Sequence, residues 1–227
     1  MPVSAASLAR FAGLLADRSR ASMCLALLDG RAWTAGELAR HAGVARSTAS
    51  EHLTVLVGAG VLTERRQGRA RYVELAGPEV AAALEDLGAL AGERERPTSL
   101  RTVRADARLA EARTCYDHLA GRLGVAVLGS LAARGLLDTT AGLAVTPAGR
   151  RWFAEVCGPA PSGSRPPVRA CLDWTERRPH LGGALGAALL RTALEERWVM
   201  PVPGLPRALA VTPEGALALT GPAAVAG

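Results

Sequence analysis

The second half of the chain carries two polar clusters whose cysteine and histidine side chains could bind a metal ion. The first cluster reads Cys115-Tyr-Asp-His118, and the second begins with Cys171-Leu-Asp-Trp and is followed by His180. Both contain Cys-x-Asp, and in both the histidine directly precedes a leucine. Two thiols and two imidazoles form a ligand set suited to zinc or a softer thiophilic metal. If the two segments pack about a pseudo-twofold axis, we expect these four side chains to converge.

The same residue types allow two other interpretations. A thiol beside an imidazole and a helix N-terminus has a lowered pKa and can react with oxidants or electrophiles. Alternatively, the aspartates and histidines cap helices while the thiols are packed in the core. Cys157, near a helix end and followed by Gly158-Pro159, could be a further sulfur ligand or a resolving thiol. The residues alone leave these alternatives open.

The elements that would position these clusters occur twice. Residues 119–128 align with residues 181–190, and the sequence of residues 143–147 recurs unchanged in residues 209–213. Such recurrence predicts two copies of one structural unit. Each copy is predicted to contain an apolar helix, two short strands around a turn, and a helix capped by Thr146 or Thr212 with proline at its first position. These units are winged-helix-like, without arginine-rich wing tips.

A different and more specific pattern lies near the N-terminus, in residues 34–75. Thr34 and Glu37 have the spacing of a capping box, which predicts the start of a helix. Gly43 can adopt the left-handed conformation that ends this helix, and a second helix is predicted to begin near Ala45. Its apolar stripe is formed by Val44, Ala49, Leu53 and Leu56. Polar residues fall on the opposite side, namely Arg46, Ser47, Thr48, Ser50, Glu51 and Thr54.

A basic hairpin is predicted to follow the second helix. Residues 61–63 and 71–75 alternate as two short strands, and Gly68 lies at the turn between them. Four arginines lie at or beside the tip of this hairpin, namely Arg65, Arg66, Arg69 and Arg71. Such a tip favours contact with DNA phosphates or the minor groove.

Over residues 1–92 this pattern resembles the winged helix-turn-helix of the ArsR/SmtB-type (arsenic-repressor) transcription factors, specifically a longer subgroup with a C-terminal extension. The residues that carry the resemblance are Glu37-Leu38-Ala39, Gly43-Val44, residues 47–53, Leu56, Gly60-Val61-Leu62, residues 66–69 and Tyr72. One departure is Ala45, where the family usually has a serine that caps the recognition helix. The resemblance implies a homodimer in which the first helix and a helix from Pro78 to about Ala91 pack across the interface.

The resemblance also implies which residues contact double-stranded DNA. We expect these to be Arg46, Ser47, Thr48, Ser50, Glu51, His52, Thr54, Arg65, Arg66, Arg69 and Arg71. Two metal sites of the family are missing by residue identity. Arg31-Ala32-Trp33 replaces the Cys-x-Cys pair of some sensors, and residues 78–91 contain no histidine for an interfacial zinc site. An effector is therefore expected to act through the C-terminal domain.

Composition agrees with a two-domain DNA-binding protein. The 227 residues carry a net charge of +6 with a pI near 10.0, and all 27 basic residues are arginine. We predict a DNA-binding and dimerisation domain in residues 1–92, a linker and connecting helix in residues 93–114, and a duplicated sensing and assembly domain in residues 115–227. No signal peptide or membrane span is evident, so we expect a cytoplasmic protein with reduced cysteines and no membrane partner.

The predicted fold is mainly α with small β-wings: a winged helix-turn-helix domain followed by two winged-helix-like repeats. The predicted function is that of a transcriptional regulator, a repressor, that binds an inverted-repeat operator as a dimer. Its effector would be a metal, an oxidant or electrophile, or an apolar small molecule. An apolar ligand could bind beside the tryptophans of the second half, although their residue type favours aromatic packing in the core; they are Trp152, Trp174 and Trp198.

The alternative is a thiol- or metal-dependent enzyme carried on a DNA-binding module. Cys115 or Cys171 would then be the nucleophile and His118 the base. The sequence contains no glycine-rich cofactor loop, no nucleophile elbow and no paired-carboxylate spacing. We therefore predict that the protein is not an enzyme.

Overall fold

The computed structural model describes residues 4–68, 70–91, 100–159 and 165–221, without the side chains of residues 100–102. Within them the chain forms two compact units, residues 1–84 and residues 85–227. Arg69 and the predicted domain boundary at residue 92 lie outside the described residues. None of the helices in the described ranges combines the length and apolar character that a membrane span requires.

Unit 1 is a helical domain with a three-stranded antiparallel sheet, in which the third strand along the chain lies in the middle. Its elements are α1 (Ala5–Leu15), α2 (Arg18–Ala26), a 3-10 turn (Leu27–Asp29), β1 (Trp33–Thr34), α3 (Ala35–Ala42), α4 (Arg46–Gly58), β2 (Leu62–Gln67) and β3 (Ala70–Leu75). The buried core is formed mainly by Met23, Leu27, Leu38, Leu53, Leu56, Leu62 and Val73. The predicted helix, turn, helix and wing are confirmed.

Local sequence explains how the helix pair forms. The Thr34 backbone amide donates to the Glu37 carboxylate at 2.7 Å, and the Glu37 amide donates to the Thr34 hydroxyl at 3.3 Å, which completes the capping box. Gly43 ends α3 in the left-handed conformation, with φ of 68°. Ala45 is the N-cap of α4 and its side chain offers no capping group. Strand β1, which was not predicted, pairs with β3.

A long helix, α5 (Pro78–Ala91), begins in unit 1 and ends in unit 2. Its start and end agree with the sequence prediction. Proline lies at its first position, where no intrahelical amide bond is needed. Helix α5 therefore carries the chain from the helix-turn-helix unit into the duplicated one.

Unit 2 continues with α6 (Leu100–Glu111) and then repeats the order hairpin, helix, hairpin, helix. The first copy contains β4 (Arg113–Cys115), β5 (His118–Ala120), α7 (Gly121–Ala133), β6 (Leu137–Asp138), β7 (Ala144–Val145) and α8 (Pro147–Cys157). The second contains β8 (Arg169–Leu172), β9 (Pro179–Gly182), α9 (Gly183–Glu195), β10 (Val199–Pro201), β11 (Leu209–Val211) and α10 (Pro213–Thr220). The predicted duplication is confirmed, whereas the leading hairpins β4-β5 and β8-β9 were not predicted.

In the packing of the two repeats, the first helix of each repeat contacts the leading hairpin of the other. Helix α7 of the first repeat contacts β9 of the second, and α9 of the second contacts β5 of the first. Leu123, Val127 and Leu131 of α7 are buried in one common core with the corresponding residues of α9, which are Leu185, Leu189 and Ala193. Each helix thus covers the hairpin of the other repeat, which brings the two hairpins together.

Candidate functional site

The outer face of α4 is polar and exposed. Arg46, Ser47, Glu51 and Thr54 are exposed, while Thr48 and Ser50 are partly exposed. On the opposite side of the helix, Ala49, Leu53 and Leu56 are fully buried against the rest of unit 1. The hydrophobic stripe therefore fixes α4 on the domain and leaves its polar side available for contact. This arrangement is the one that the sequence pattern predicts.

The Arg46 side chain rests on the preceding helix. A Cβ atom added to Gly36 of α3 would lie 3.1 Å from Arg46 Nη2 and 3.4 Å from its Cζ. The glycine therefore leaves room for the guanidinium group beside the first turn of α3. This contact orients the basic group at the start of α4.

His52 and Thr54, two further predicted DNA contacts, make contacts within unit 1. His52 is partly buried, and its Nε2 lies 3.8 Å from the carboxylate of Asp17, the N-cap of α2. The Thr54 hydroxyl donates to the Ser50 carbonyl oxygen at 2.9 Å. His52 thus connects α4 with α2, and the hydroxyl of Thr54 is engaged by its own helix.

The wing exposes part of its arginine set. Beyond buried Leu62, the remaining residues of β2, including Arg65 and Arg66, are exposed. Arg71 pairs with Glu64 of the neighbouring strand. Arg65 and Arg66 are consequently the described arginines that the wing presents most openly.

In unit 2, each leading hairpin places one cysteine directly opposite one histidine. The register of β4 and β5 pairs Cys115 with His118, and the register of β8 and β9 pairs Cys171 with His180. Residues opposite each other in an antiparallel pair extend from the same face of the hairpin. Each repeat therefore supplies one thiol and one imidazole side by side.

The two hairpins bring all four side chains into one buried cluster. Cys115, His118, Cys171 and His180 each offer a ligand atom, and these four atoms lie within 4.8 Å of one another. The two sulfur atoms are 3.8 Å apart, and the two Nε2 atoms are 3.2 Å apart. The imidazole rings are stacked, with their centroids 5.0 Å apart. The convergence that a pseudo-twofold arrangement would produce is present in the structure.

Two glycines allow this close approach. A Cβ atom on Gly124 of α7 would lie 2.5 Å from the Leu119 carbonyl oxygen and 3.4 Å from His180 Cβ. In the other repeat, a Cβ atom on Gly186 of α9 would lie 2.5 Å from the Leu181 carbonyl oxygen and 3.4 Å from His118 Cβ. Each helix start is therefore packed against its own hairpin and against the histidine of the other repeat.

The aspartates of the two Cys-x-Asp segments face the outer nitrogens of the histidines. His118 Nδ1 lies 3.2 Å from Asp117 Oδ1, and His180 Nδ1 lies 3.5 Å from Asp173 Oδ2. Because Nδ1 of each ring faces a carboxylate, Nε2 of each ring faces the cluster. The shared Cys-x-Asp segment was the sequence signal for this arrangement.

Both aspartates are held in place by arginine. Arg165 donates to Asp117 at 3.0 Å, and Arg113 donates to Asp173 at 2.9 Å. The Arg113–Asp173 pair is completely buried. Asp173 also accepts the backbone amide of Gly121 at 2.7 Å. Sequence reasoning missed Arg113, because nothing near it in the chain indicates a buried partner.

The electrostatics of the cluster favour negative charge on the sulfur of Cys171 but not on that of Cys115. The hydrogen bond from Cys115 lowers the pKa of the Cys171 thiol and outweighs burial, and His118 and His180 add to this effect. The same hydrogen bond, together with burial, raises the pKa of Cys115. Burial opposes protonation of His118, but its contacts with Asp117 and Cys171 raise its pKa. Negative charge is therefore favoured on Cys171, beside a His118 imidazole that is itself easier to protonate.

Cys157, Trp152 and Trp198 lie elsewhere in unit 2, whereas Trp174 lies beside Arg113. In the described part of the chain, Cys157 is not one of the converging ligands; it packs at the end of α8 beside the common core. Burial raises the pKa of its thiol. Trp152 stacks edge-on against Phe153, and Arg113 lies 4.4 Å above the ring of Trp174. Trp152 and Trp198 pack against the core.

Comparison with known proteins gives matches to DNA-binding regulators. A family described as a helix-turn-helix domain matches residues 15–65. The chain is 39% identical over 216 residues to the uncharacterized HTH-type transcriptional regulator YdfF of Bacillus subtilis (strain 168), which covers 93% of this chain and 95% of that protein. It is 41% identical over 81 residues to the HTH-type transcriptional regulator CmtR of Mycobacterium tuberculosis (strain H37Rv), which covers 36% of this chain and 68% of CmtR.

A solved structure also matches the first part of the chain. It is the homodimeric winged helix-turn-helix DNA-binding domain Mb0332 from Mycobacterium bovis, described as a possible ArsR-family transcriptional regulator. The identity is 25% and the TM-score is 0.37, and the match covers 42% of this chain and 94% of that one.

Proposed function

Because the chain belongs to the ArsR/SmtB-type winged helix-turn-helix transcriptional regulators, we propose that it is a homodimeric repressor of an inverted-repeat operator. Each protomer would place α4 in the major groove and its wing against the neighbouring backbone. An effector acting on unit 2 would change the affinity for DNA.

The observation that carries this proposal is the exposed polar face of α4 beside an arginine-bearing wing. An α-helix fits the major groove, where short hydroxyls and a guanidinium group can read base edges. We assign base or nearby phosphate contacts to Arg46, Ser47, Thr48 and Ser50, with Glu51 and Thr54 at the same surface. We assign backbone contacts to Arg65, Arg66 and Arg69, and supporting positions to His52 and Arg71, since both have partners within unit 1.

Exposed apolar helix surfaces support assembly with a second copy. None of the residues of α1, all of which are described, is buried, and Leu8 is 63% exposed. In the last turns of α5, Leu90 is 77% exposed and Leu87 is 46% exposed. Apolar surfaces of this kind commonly mark interaction sites. A second copy would remove both surfaces from water.

Control by unit 2 is supported by the way α5 ends. Its buried residue Glu85 pairs with Arg207, which also donates to the carbonyl oxygen of Thr114 in β4. The next residue, Asp86, pairs with Arg169 in β8 at 3.3 Å. The last turns of α5 are therefore tied to both hairpins of the Cys/His cluster. A ligand that repositions the hairpins would act on α5.

Selection of DNA from a random library with the purified full-length chain tests the function. We expect an inverted repeat to be enriched, and transcription from a promoter that contains it to fall when protein is added in vitro. Arg46→Ala should reduce discrimination between the selected site and single-base variants by about 1–3 kcal/mol. Arg66→Ala should weaken binding to all sequences.

The salt dependence separates these two roles. A dimer that loses one phosphate contact per protomer loses about 0.9 of slope for each contact, so Arg66→Ala should flatten the plot of log K against log salt by about 1.8. Arg151→Ala, which removes an exposed arginine of unit 2, is the charge-matched control and should leave the slope unchanged. Enrichment of no sequence, or identical titrations for all three variants, would remove the proposal.

A further inference from the structure

We propose that Cys115, His118, Cys171 and His180 bind one divalent metal ion, zinc or a similar thiophilic ion, that joins the two repeats of unit 2. The proposal goes beyond the DNA-binding function and does not depend on it, because it rests only on the geometry of the two leading hairpins. It also differs from the family sites at residues 31–33 and 78–91, whose ligands this chain lacks.

The spacing of the donor atoms fits a tetrahedral ion. Zinc lies about 2.3 Å from thiolate sulfur and about 2.0–2.1 Å from imidazole nitrogen, so a regular tetrahedron places two sulfurs about 3.8 Å apart and two nitrogens about 3.3–3.4 Å apart. The observed separations are 3.8 Å between the sulfurs and 3.2 Å between the Nε2 atoms. All four donors lie within 4.8 Å of one another, so small side-chain rotations complete the set.

The two Nε2 atoms need either a proton on one ring or a metal ion between them. With a hydrogen on each Nδ1, facing Asp117 and Asp173, both Nε2 atoms present lone pairs to each other across 3.2 Å. Such a contact is unfavourable unless a cation or a proton lies between the rings. A divalent ion satisfies both nitrogens and both sulfurs at once. Two thiolates also neutralise its charge, which matters because the ligands are buried.

The surroundings have the form that metal-bound histidines usually show. A ligating imidazole commonly donates its other N–H to a carboxylate, which fixes the tautomer and the ring orientation. Asp117 occupies this position for His118, at hydrogen-bond distance. Asp173 lies 3.5 Å from His180 Nδ1, which has no hydrogen-bond partner among the described residues. Arg165 and Arg113 hold the two carboxylates in place. The carboxylates are therefore outer partners that orient the rings, while the donor set itself remains two sulfurs and two nitrogens.

Burial argues against the two other uses of the thiols. Cys171 is 0% exposed and Cys115 is 1% exposed, whereas a reactive cysteine must be reachable by its reagent. Thiols with a packing role alone would not require two imidazoles with converging Nε2 atoms.

The donor types select the metal class. Calcium and magnesium prefer oxygen ligands, and copper(II) favours a tetragonal arrangement, whereas a tetrahedral S₂N₂ set suits zinc. Four protein donors leave no open coordination position, as in structural zinc sites. Because each repeat supplies one sulfur and one nitrogen, neither repeat can complete the site alone.

The test uses the full-length reduced chain, stripped of metal and then titrated with Zn²⁺ or Co²⁺. We expect one ion per chain and, with Co²⁺, the visible bands of a tetrahedral complex and a thiolate-to-metal charge-transfer band. X-ray absorption of the zinc form should show two sulfurs at about 2.3 Å and two nitrogens at about 2.0–2.1 Å. Because alkylation of the buried Cys115 and Cys171 requires the hairpins to open, the metal should also slow it, and it should raise the melting temperature.

The chain offers matched controls, since two of its four cysteines and two of its four histidines lie outside the cluster. Cys171→Ser and His180→Asn should abolish stoichiometric uptake, whereas Cys157→Ser and His41→Asn should retain it. Wild-type stoichiometry, X-ray absorption and alkylation decide the matter even if a ligand variant fails to fold.

Several results would overturn the proposal. These are a reduced wild-type chain that takes up no ion, uptake that survives Cys171→Ser and His180→Asn together, or oxygen-dominated coordination. Operator binding is measured separately on the same samples. Loss of operator selection with intact metal binding would refute the repressor proposal alone, and the converse would refute the metal site alone.

Discussion

At Gly124, a single added methyl group should disturb the packing between the two repeats. It lies near the start of α7, and a Cβ atom there would lie 2.5 Å from the Leu119 carbonyl oxygen and 2.8 Å from its carbonyl carbon. These atoms belong to the backbone of β5 and cannot rotate away. Gly124→Ala therefore requires α7 to move relative to its hairpin, and the added atom would also lie 3.4 Å from the Cβ of His180.

The size of the effect follows from this overlap. Carbon atoms in favourable contact are about 3.5–4.0 Å apart, so the helix start must shift by roughly 1 Å. Overpacking of a well-packed core costs about 1–3 kcal/mol. Gly129 provides the control in the same helix, since it is exposed and nothing lies within 4 Å of its added Cβ. Gly129→Ala should instead stabilise the helix by about 0.5–1 kcal/mol. Because both variants make the same Gly→Ala change in one helix, the propensity gain cancels and they should differ by about 1–3 kcal/mol.

Urea unfolding followed by tryptophan fluorescence measures this difference. Three of the four tryptophans, Trp152, Trp174 and Trp198, belong to unit 2, so a Trp33→Phe background makes the signal report that unit. The titrations are performed with a chelator, so that the result does not depend on bound metal. The free energy of unfolding is then compared among the background chain, Gly124→Ala and Gly129→Ala.

The pseudo-twofold relation adds a second variant. Gly186→Ala should cost about as much as Gly124→Ala, because its Cβ would meet the Leu181 carbonyl oxygen at the same 2.5 Å and His118 Cβ at 3.4 Å. If Gly124→Ala proves as stable as Gly129→Ala, or if only one of the two buried glycines is sensitive, then the helix starts do not pack on the two hairpins in the way argued from Gly124 and Gly186.

Two further predictions concern the residues that hold each unit together. Asp173→Asn should destabilise unit 2 by about 3–5 kcal/mol, because it leaves Arg113 buried without its carboxylate. Arg113→Met should cost less, since Asp173 keeps the backbone amides of Gly121, Thr175 and Glu176 as donors. Urea unfolding measures both costs, and the reverse order would contradict this assignment. Thr34→Ala should destabilise unit 1 by about 0.5–2 kcal/mol, because it removes the N-terminal cap of α3. Hydrogen exchange of the α3 amides should then be faster, whereas Thr34→Ser should preserve their protection. Equal protection in the wild-type chain and both variants would exclude a role for the cap.

The features that could be predicted from sequence are those encoded by neighbouring residues. The capping box of Thr34, the turn at Gly43 and the apolar stripe of α4 all act within a few residues of one another. The same holds for Thr146 and Thr212, whose hydroxyls accept the amides of the glycines three residues later. Such local signals fixed the number and type of elements in the helix-turn-helix and in the ends of both repeats.

The features that escaped prediction depend on contacts between distant segments. Strands of two to four residues, such as β1, β4 and β8, are too short to show an alternating pattern. Arg113 was missed because arginine is seldom fully buried, and its carboxylate partner lies 60 residues further along the chain. Cys157 could not be separated from Cys115 by sequence, since only the packing of the hairpins decides which thiols converge.

The Cys/His cluster is divided between the two repeats, so metal binding is linked to their association. A metal that requires one hairpin from each repeat contributes its binding free energy to their association, because neither hairpin alone offers more than two donors. The same hairpins are tied to α5, through Arg207 with Glu85 and through Arg169 with Asp86. If the ion and the operator affect one another, their coupling must be reciprocal: operator DNA should change metal affinity by the factor by which metal changes operator affinity. Substituting Glu85 or Asp86 should then reduce the effect of metal on operator affinity and the effect of operator on metal affinity together. An ion with a purely structural role would leave both affinities unchanged.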